Sequence, residues 1–279
     1  MSGGDRAVPV PGLFLTFAAP NHPSVEHFWL FPVFFLIALL YSSAGFGGGS
    51  SYLAVLALAG LPQGVIRPIA LLCNLVVTGG GTVAYARAGV TPWRRALPLV
   101  AASMPAAFLG GQVVLAREDY LLLLGGLLLL AGVLMVFRPA AAERADAIPG
   151  RRPESYRGGV IAVLIGGLVG FVSGVVGIGG GIFLSPILFL TGWDHPRAIA
   201  ATTSLFIVVN SVAGLAGQFS VGIVLDVRVF ALLAVAVLVG GYLGTRLTLR
   251  RFPPSVIQKV AAALILLVGI RLVWTNWPF

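Results

Sequence analysis

Charged residues are scarce in this chain. Only 10% of its 279 residues are charged and 58% are hydrophobic, whereas a soluble domain carries about 25% charged residues. This composition excludes an ordinary soluble domain and indicates a polytopic membrane protein. The excess of 18 basic over 9 acidic residues is therefore interpreted as an orientation signal between apolar segments, not as a nucleic-acid-binding surface.

Cysteine and histidine are almost absent. Cys73 is the only cysteine, so no disulfide framework and no cysteine-based metal site can form within the chain. The three histidines, His22, His27 and His195, lack metal-ligand spacing. No nucleophile–base motif is present either. We therefore predict that the protein is not an enzyme and uses no metal or cofactor.

Carboxylates are missing from the apolar segments. All 9 acidic residues lie in tails, loops or a polar linker. Intramembrane carboxylates are the usual carriers of proton or sodium coupling. Their absence favours an anionic or neutral substrate over a cation.

The apolar segments contain two glycine clusters instead. Gly47–Gly49 lies in an uncharged run of 40 residues, and Gly179–Gly181 lies in one of 36. Each glycine costs a helix interior about 1 kcal/mol relative to alanine, so three in a row predict a break. A broken backbone at membrane depth must be buried in protein or line a wet cavity. Helices that start there would direct their free N–H groups into that cavity, which suits an anion.

The second half of the chain repeats the first. The glycine clusters recur at an offset of 132 residues, and about five apolar segments follow one another in each half, a pattern typical of secondary transporters. The predicted organisation is an N-terminal arm (1–27), a first transmembrane repeat (28–137), a linker (138–157) and a second repeat (158–279). Because each repeat has an odd number of segments, the second repeat enters the membrane in the opposite orientation to the first. The predicted fold is an all-α polytopic membrane protein of two inverted repeats, with broken or re-entrant short helices at the glycine-rich motifs.

Basic residues predict the orientation. With the 138–157 linker in the cytoplasm, 13 of the 18 lysine and arginine residues lie on the inner side, as the positive-inside rule requires. Both termini are then expected outside. We place the second, third and fourth segments of the first half near 50–61, 68–86 and 95–115.

Polar side chains inside the apolar spans are candidates for the lining of the predicted site. Asn74 and Thr78 share one helix face, and Thr203 and Asn210 share another. The candidate substrate-binding residues are Gly47, Gly48, Gly49, Ser50, Ser51, Asn74, Thr78, Gly179, Gly180, Gly181, Thr202, Thr203, Ser204 and Asn210. Taken singly, each hydroxyl is explained more simply as an inter-helix hydrogen bond.

Two arginines and one glycine ridge each allow a structural and a functional interpretation. Arg67 and Arg197 precede the third segment of each half, either as interfacial anchors that snorkel to the headgroups or as cationic gates for an anion. Gly166, Gly170 and Gly174 form a small-xxx-small ridge, which favours plain helix packing.

The motifs of the second half resemble those of a known family. They are Gly177-Ile178-Gly179-Gly180-Gly181, Ser185-Pro186-Ile187-Leu188, Ala200-Ala201-Thr202-Thr203-Ser204-Leu205 and Asn210-Ser211. Together they resemble the TauE/SafE sulfite exporter family (TSUP), over nearly the whole chain from about residue 30. The first half departs from the pattern, since Leu71-Leu72 replaces Thr203-Ser204.

The resemblance implies a function and a location. It implies a secondary transporter in the bacterial inner membrane that exports small sulfur-containing anions such as sulfite, sulfoacetate or organosulfonates. The expected partners are that small anion and the lipid bilayer, with no nucleic acid. An anion channel, and a permease for another small carboxylate or oxyanion, remain as alternatives.

Overall fold

A computed structural model describes most of the chain. The described residues are 28–43, 47–136, 159–222, 225, 227–248 and 254–277. The predicted N-terminal arm (1–27) and the predicted linker (138–157) lie outside the described residues.

Every secondary-structure element in the described residues is an α-helix. The first half holds α1 (Leu30–Ser43), α2 (Gly49–Leu58), α3 (Gln63–Arg87), α4 (Trp93–Gln112) and α5 (Arg117–Val136). The second half holds α6 (Gly159–Val176), α7 (Gly181–Leu190), α8 (Pro196–Ser220), α9 (Val227–Thr248) and α10 (Pro254–Asn276). Helices follow the apolar runs because backbone in hydrocarbon must satisfy its hydrogen bonds within the segment. The predicted all-α architecture is confirmed.

The chain is a multi-pass membrane protein by the character of its helices. Within the described ranges, α3, α6 and residues Arg197–Ser220 of α8 are long and apolar enough to cross a membrane. Further apolar helices, α2 and α7 among them, are shorter.

The glycine clusters break the helices, as predicted. Gly48 (φ 77°) and Gly180 (φ 82°) both adopt the left-handed conformation and stand directly before α2 and α7. Glycine reaches this conformation without the steric cost that a Cβ imposes. Each of the two helices has 10 residues, so each spans about 15 Å, half of a hydrocarbon core of about 30 Å.

Three predicted segment boundaries were wrong. The second segment ends at Leu58 and not near 61, because the chain turns at Gly60 (φ 76°). The third begins at Gln63 and contains Pro68, whose missing N–H costs one hydrogen bond without ending the helix. The fourth runs from Trp93 to Gln112 and not from 95 to 115.

Glycine brings the long helices into backbone contact. A Cβ built on Gly170 would lie 2.6 Å from the carbonyl oxygen of Ser103, and one on Gly174 would meet Ala107 in the same way. Residue numbers rise together along both helices, so α4 and α6 are parallel. On α9, Gly240 and Gly244 approach the backbone of α1 likewise. The packing interpretation of the Gly166–Gly170–Gly174 ridge is therefore confirmed.

Helix α3 packs against α8 in the opposite sense. Leu71, early in α3, lies 3.3 Å from a Cβ built on Gly214, late in α8. Thr82, late in α3, lies within 3.0 Å of Ser204, early in α8. The two helices are thus antiparallel, and both glycine clusters lie beside them.

Candidate functional site

The two glycine clusters meet around the side chain of Asn74. The Asn74 Nδ2 donates a hydrogen bond to the carbonyl oxygen of Ile178 (2.7 Å). A Cβ built on Gly47 would lie 2.6 Å from Asn74 Oδ1, and one on Gly179 would lie 2.8 Å from Nδ2. On Gly49, a Cβ would overlap the same amide. One side chain from α3 therefore fills the space that the glycines of both halves leave open.

A small cavity adjoins this amide. Its volume is about 20 Å³, which is room for about one water molecule. Its walls are formed by Tyr41, Gly47, Gly48, Gly49, Ser50, Asn74, Ile178, Gly181, Ile182 and Ile207. Six of these ten residues are among the predicted binding residues, and both halves of the chain contribute.

The N-terminal ends of α2 and α7 border this cavity. A helix leaves the N–H groups of its first turn without partners in its own hydrogen-bond ladder. In each short helix the ladder begins at the third residue, where Ser51 N–H donates to Gly48 O (3.0 Å) and Phe183 N–H donates to Gly180 O (3.2 Å). The first two residues of each short helix, Gly49 and Ser50 in α2 and Gly181 and Ile182 in α7, line the cavity. Two positive helix ends thus face one space, an arrangement that favours a negative charge.

Two further polar groups lie at the same place. Tyr41 lines the cavity, and its hydroxyl lies 2.7 Å from Ser51 Oγ. The Asn74 Oδ1 is buried without a hydrogen-bond partner. Sequence reasoning missed Tyr41, although a lone tyrosine in the apolar span just before the glycine cluster could have indicated it. It also missed the Ile178 carbonyl, for which the sequence holds no signal.

The other predicted polar residues divide into two groups. Thr78 donates to Asn74 O (2.7 Å) within α3, whereas Ser204 donates to Thr78 O (3.2 Å) and so ties α8 to α3. Thr202, Thr203 and Asn210 are fully buried and their polar side-chain atoms have no partner. None of the five lines the cavity, although Thr203 lies 3.2 Å from a Cβ built on Gly181.

The remaining glycine of the second cluster contacts a different neighbour. A Cβ on Gly180 would lie 2.7 Å from the ring of Phe206 and 3.3 Å from Ser173. Phe206 is fully buried. The place that Asn74 takes beside Gly47 and Gly49 is taken in the second half by Ile207, which contacts Gly179 and Gly181. The two halves therefore differ at the cavity, with an amide in one and an aliphatic side chain in the other.

Arg67 is buried, which differs from the interfacial-anchor interpretation. Its side chain is 2% exposed, and its guanidinium donates to Val113 O (3.0 Å), Gly111 O (3.2 Å) and Gly174 O (3.0 Å). These carbonyls belong to the C-terminal ends of α4 and α6, where the helix dipole is negative. Arg197, in contrast, is exposed at the start of α8.

We expect Arg67→Met to destabilise the fold, because two buried carbonyls and a partly buried one would lose their donors. Each buried unpaired carbonyl costs about 1–3 kcal/mol, so the melting temperature of the purified protein should fall by roughly 5 °C or more. Arg117→Met is the matched control, since Arg117 makes a single exposed contact, to Gly60 O (3.3 Å). A normal melting temperature combined with a raised half-saturation concentration for the substrate would instead support a gating role for Arg67.

Comparison with known proteins identifies the family. The family model for the sulfite exporter TauE/SafE matches residues 30–272. The probable membrane transporter protein y4hK of Sinorhizobium fredii is 33% identical over 86% of this chain and 96% of its own length. YunE of Bacillus subtilis, also named a probable membrane transporter protein, is 24% identical over 84% of this chain and 92% of its own length.

One relative matches over only part of its own length, and no solved structure matches. MamO of Magnetospirillum gryphiswaldense, a probable membrane transporter protein, is 27% identical over 82% of this chain, but the match spans only 42% of MamO. No solved structure gives a significant match. Because the family model covers all but the ends of the chain and y4hK matches along nearly its full length, this chain belongs to the sulfite exporter TauE/SafE family of membrane transporters.

Proposed function

We propose that the protein is a secondary carrier that exports small sulfur-containing anions such as sulfite, sulfoacetate or organosulfonates. The observation that carries the proposal is that the N-terminal ends of two short helices, one from each half, face the same buried cavity. Unpaired N–H groups and positive dipole ends stabilise an anion there. The cavity walls contain no carboxylate among the described residues, which also favours an anion.

The anion would bind between Gly47–Gly49 and Gly179–Gly181. Hydroxyl and amide groups nearby would donate further hydrogen bonds. We assign this role to Ser50, Ser51, Asn74, Thr78, Thr202, Thr203, Ser204 and Asn210, to which the site geometry adds Tyr41. The fully buried, unpartnered polar atoms of Thr202, Thr203 and Asn210 are consistent with a site that widens when the two halves separate.

The proposed carrier is built from two inverted repeats, 28–137 and 158–279. Equivalent helices α3 and α8 are antiparallel (Leu71 near Gly214, Thr82 near Ser204), as a two-fold axis in the membrane plane requires. A two-fold axis would also map the contact between α4 and α6 onto a contact between α9 and α1. Both contacts are present. One half rocking against the other would then open the site to each side in turn.

We also propose an orientation for this carrier. The 138–157 linker would be cytoplasmic and both termini periplasmic, in the bacterial inner membrane. The support is the excess of basic residues on the linker side of the helices. Arg197 would then be positioned to attract the anion on the cytoplasmic side.

Counterflow in proteoliposomes tests the proposal. We expect external labelled sulfite to accumulate in vesicles preloaded with unlabelled sulfite, with uptake that saturates, because one binding site must alternate between the two sides. Thiosulfate, sulfoacetate, taurine, sulfate and lactate serve as competitors to define the substrate. Flux that neither saturates nor responds to internal sulfite would support the channel alternative. Competition by lactate alone would favour a carboxylate permease.

A further inference from the structure

The Asn74 side chain occupies the place where the proposed anion would bind. Its amide lies against Gly47, Gly49 and Gly179, so it contacts the glycines of both halves. We propose that this carboxamide substitutes for the anion in the unloaded carrier and thereby allows the empty carrier to change sides. The inference rests on the proposed function and assigns Asn74 a role beyond that of a ligand.

The chemistry of a carboxamide fits this role. A cavity bordered by two helix N-termini presents donors that need an acceptor, since a buried unpaired polar group costs about 1–3 kcal/mol. Asn74 brings an acceptor oxygen, Oδ1, which lies beside Gly47 and is buried without a hydrogen-bond partner. An amide oxygen supplies partial negative charge without a permanent ion. It can therefore give way to an anion that supplies a full charge.

The same side chain also links the two halves. Asn74 belongs to α3, whereas its acceptor, the Ile178 carbonyl, belongs to the second glycine cluster. The remaining cavity of about 20 Å³ has room for about one water molecule, which is less than a sulfur atom with three oxygens requires. An entering anion must therefore displace the amide and break the Asn74–Ile178 bond. Through this one residue, binding of the anion is coupled to the contact between the two halves of the chain.

Only one half supplies such a group. The corresponding place beside Gly179 and Gly181 is taken by Ile207, whose side chain is apolar. Asn210, the other buried asparagine of the α3–α8 pair, does not line the cavity. A single resident amide suits a site for a single anion.

The test separates exchange from net transport. In exchange the carrier crosses loaded in both directions, whereas in net efflux it must return empty. We expect Asn74→Ala to lower net efflux of labelled sulfite into sulfite-free medium by about tenfold, because the buried Ile178 carbonyl would lose its donor in the empty carrier. Sulfite–sulfite exchange should fall less than net efflux, because only the empty carrier needs the amide in order to change sides.

Asn210→Ala is the matched control, as it removes another fully buried amide from the same helix pair. Asn210 is assigned as a ligand, so its loss should weaken exchange and net efflux alike. Equal losses of both modes in Asn74→Ala, or no loss in either, would overturn the inference. If wild type itself exchanges no anion, the proposed function fails instead.

A second variant covers the case in which Asn74→Ala does not fold. Asn74→Asp has nearly the same shape and places a carboxylate where the anion would bind. We expect sulfite to raise the melting temperature of wild type but not that of Asn74→Asp, because the site is already filled by a negative charge. An equal sulfite-induced rise in both proteins would also overturn the inference.

Discussion

Gly180→Leu is expected to abolish sulfite transport while the protein still inserts into the membrane. Gly180 adopts a left-handed conformation (φ 82°) directly before α7, where a side chain costs about 1–2 kcal/mol. Its Cβ would also lie 2.7 Å from the buried ring of Phe206, which would have to move within a close-packed region. The N-terminal end of α7 would therefore shift away from the cavity.

The control for this prediction is Gly192→Leu. Gly192 is also left-handed (φ 59°) but has no atom within 4 Å of its Cβ position. Gly192 lies in the loop after the same helix. A side chain there would strain the backbone but would not collide with a neighbour. We expect Gly192→Leu to keep most of its counterflow activity and Gly180→Leu to show none above background. Similar activities in the two variants would mean that the glycine cluster does not form the site.

Gly170→Leu is expected to lower the stability of the protein strongly. The Cβ of residue 170 would lie 2.6 Å from the carbonyl oxygen and 2.7 Å from the Cα of Ser103. Both atoms belong to the backbone of α4, so the helices must move apart because no side chain can rotate away. Overpacking costs about 1–3 kcal/mol even where side chains can adjust, and we expect a fall of roughly 10 °C in melting temperature.

Gly167→Leu is the control for the packing prediction. Gly167 lies on the same helix, α6, and has no atom within 4 Å of its Cβ position. Thermal unfolding of the two variants in the same detergent should therefore give a large fall for Gly170→Leu and little change for Gly167→Leu. Equal melting temperatures would contradict the close α4–α6 contact.

The helix breaks were predictable from sequence because they depend on local chemistry. Three adjacent glycines disfavour a helix whatever surrounds them, and α2 and α7 begin at Gly49 and Gly181 as expected. The boundary at Pro68 was wrong because this proline lies inside α3 and removes one hydrogen bond without ending the helix. The sequence also favoured backbone packing for Gly170 and its neighbours, and the α4–α6 contact confirms it.

The arrangement of the site was less predictable because it depends on contacts between distant segments. Asn74 was predicted as a site residue, but its position between both glycine clusters depends on a bond to Ile178, 104 residues away. Arg67 was predicted to be either an interfacial anchor, since charges usually remain hydrated, or a cationic gate. Its three carbonyl partners come from two other helices, and the sequence of α3 contains no sign of them.

The most direct test locates the anion itself. Selenite has the shape and charge of sulfite, and its selenium scatters X-rays anomalously, so crystals grown with selenite would reveal the site independently of transport. We expect one anomalous peak between Gly47–Gly49 and Gly179–Gly181, with the Asn74 amide displaced from Ile178. A peak confined to the exposed Arg197, or an ordered selenite anywhere outside the two glycine clusters, would contradict the proposed site.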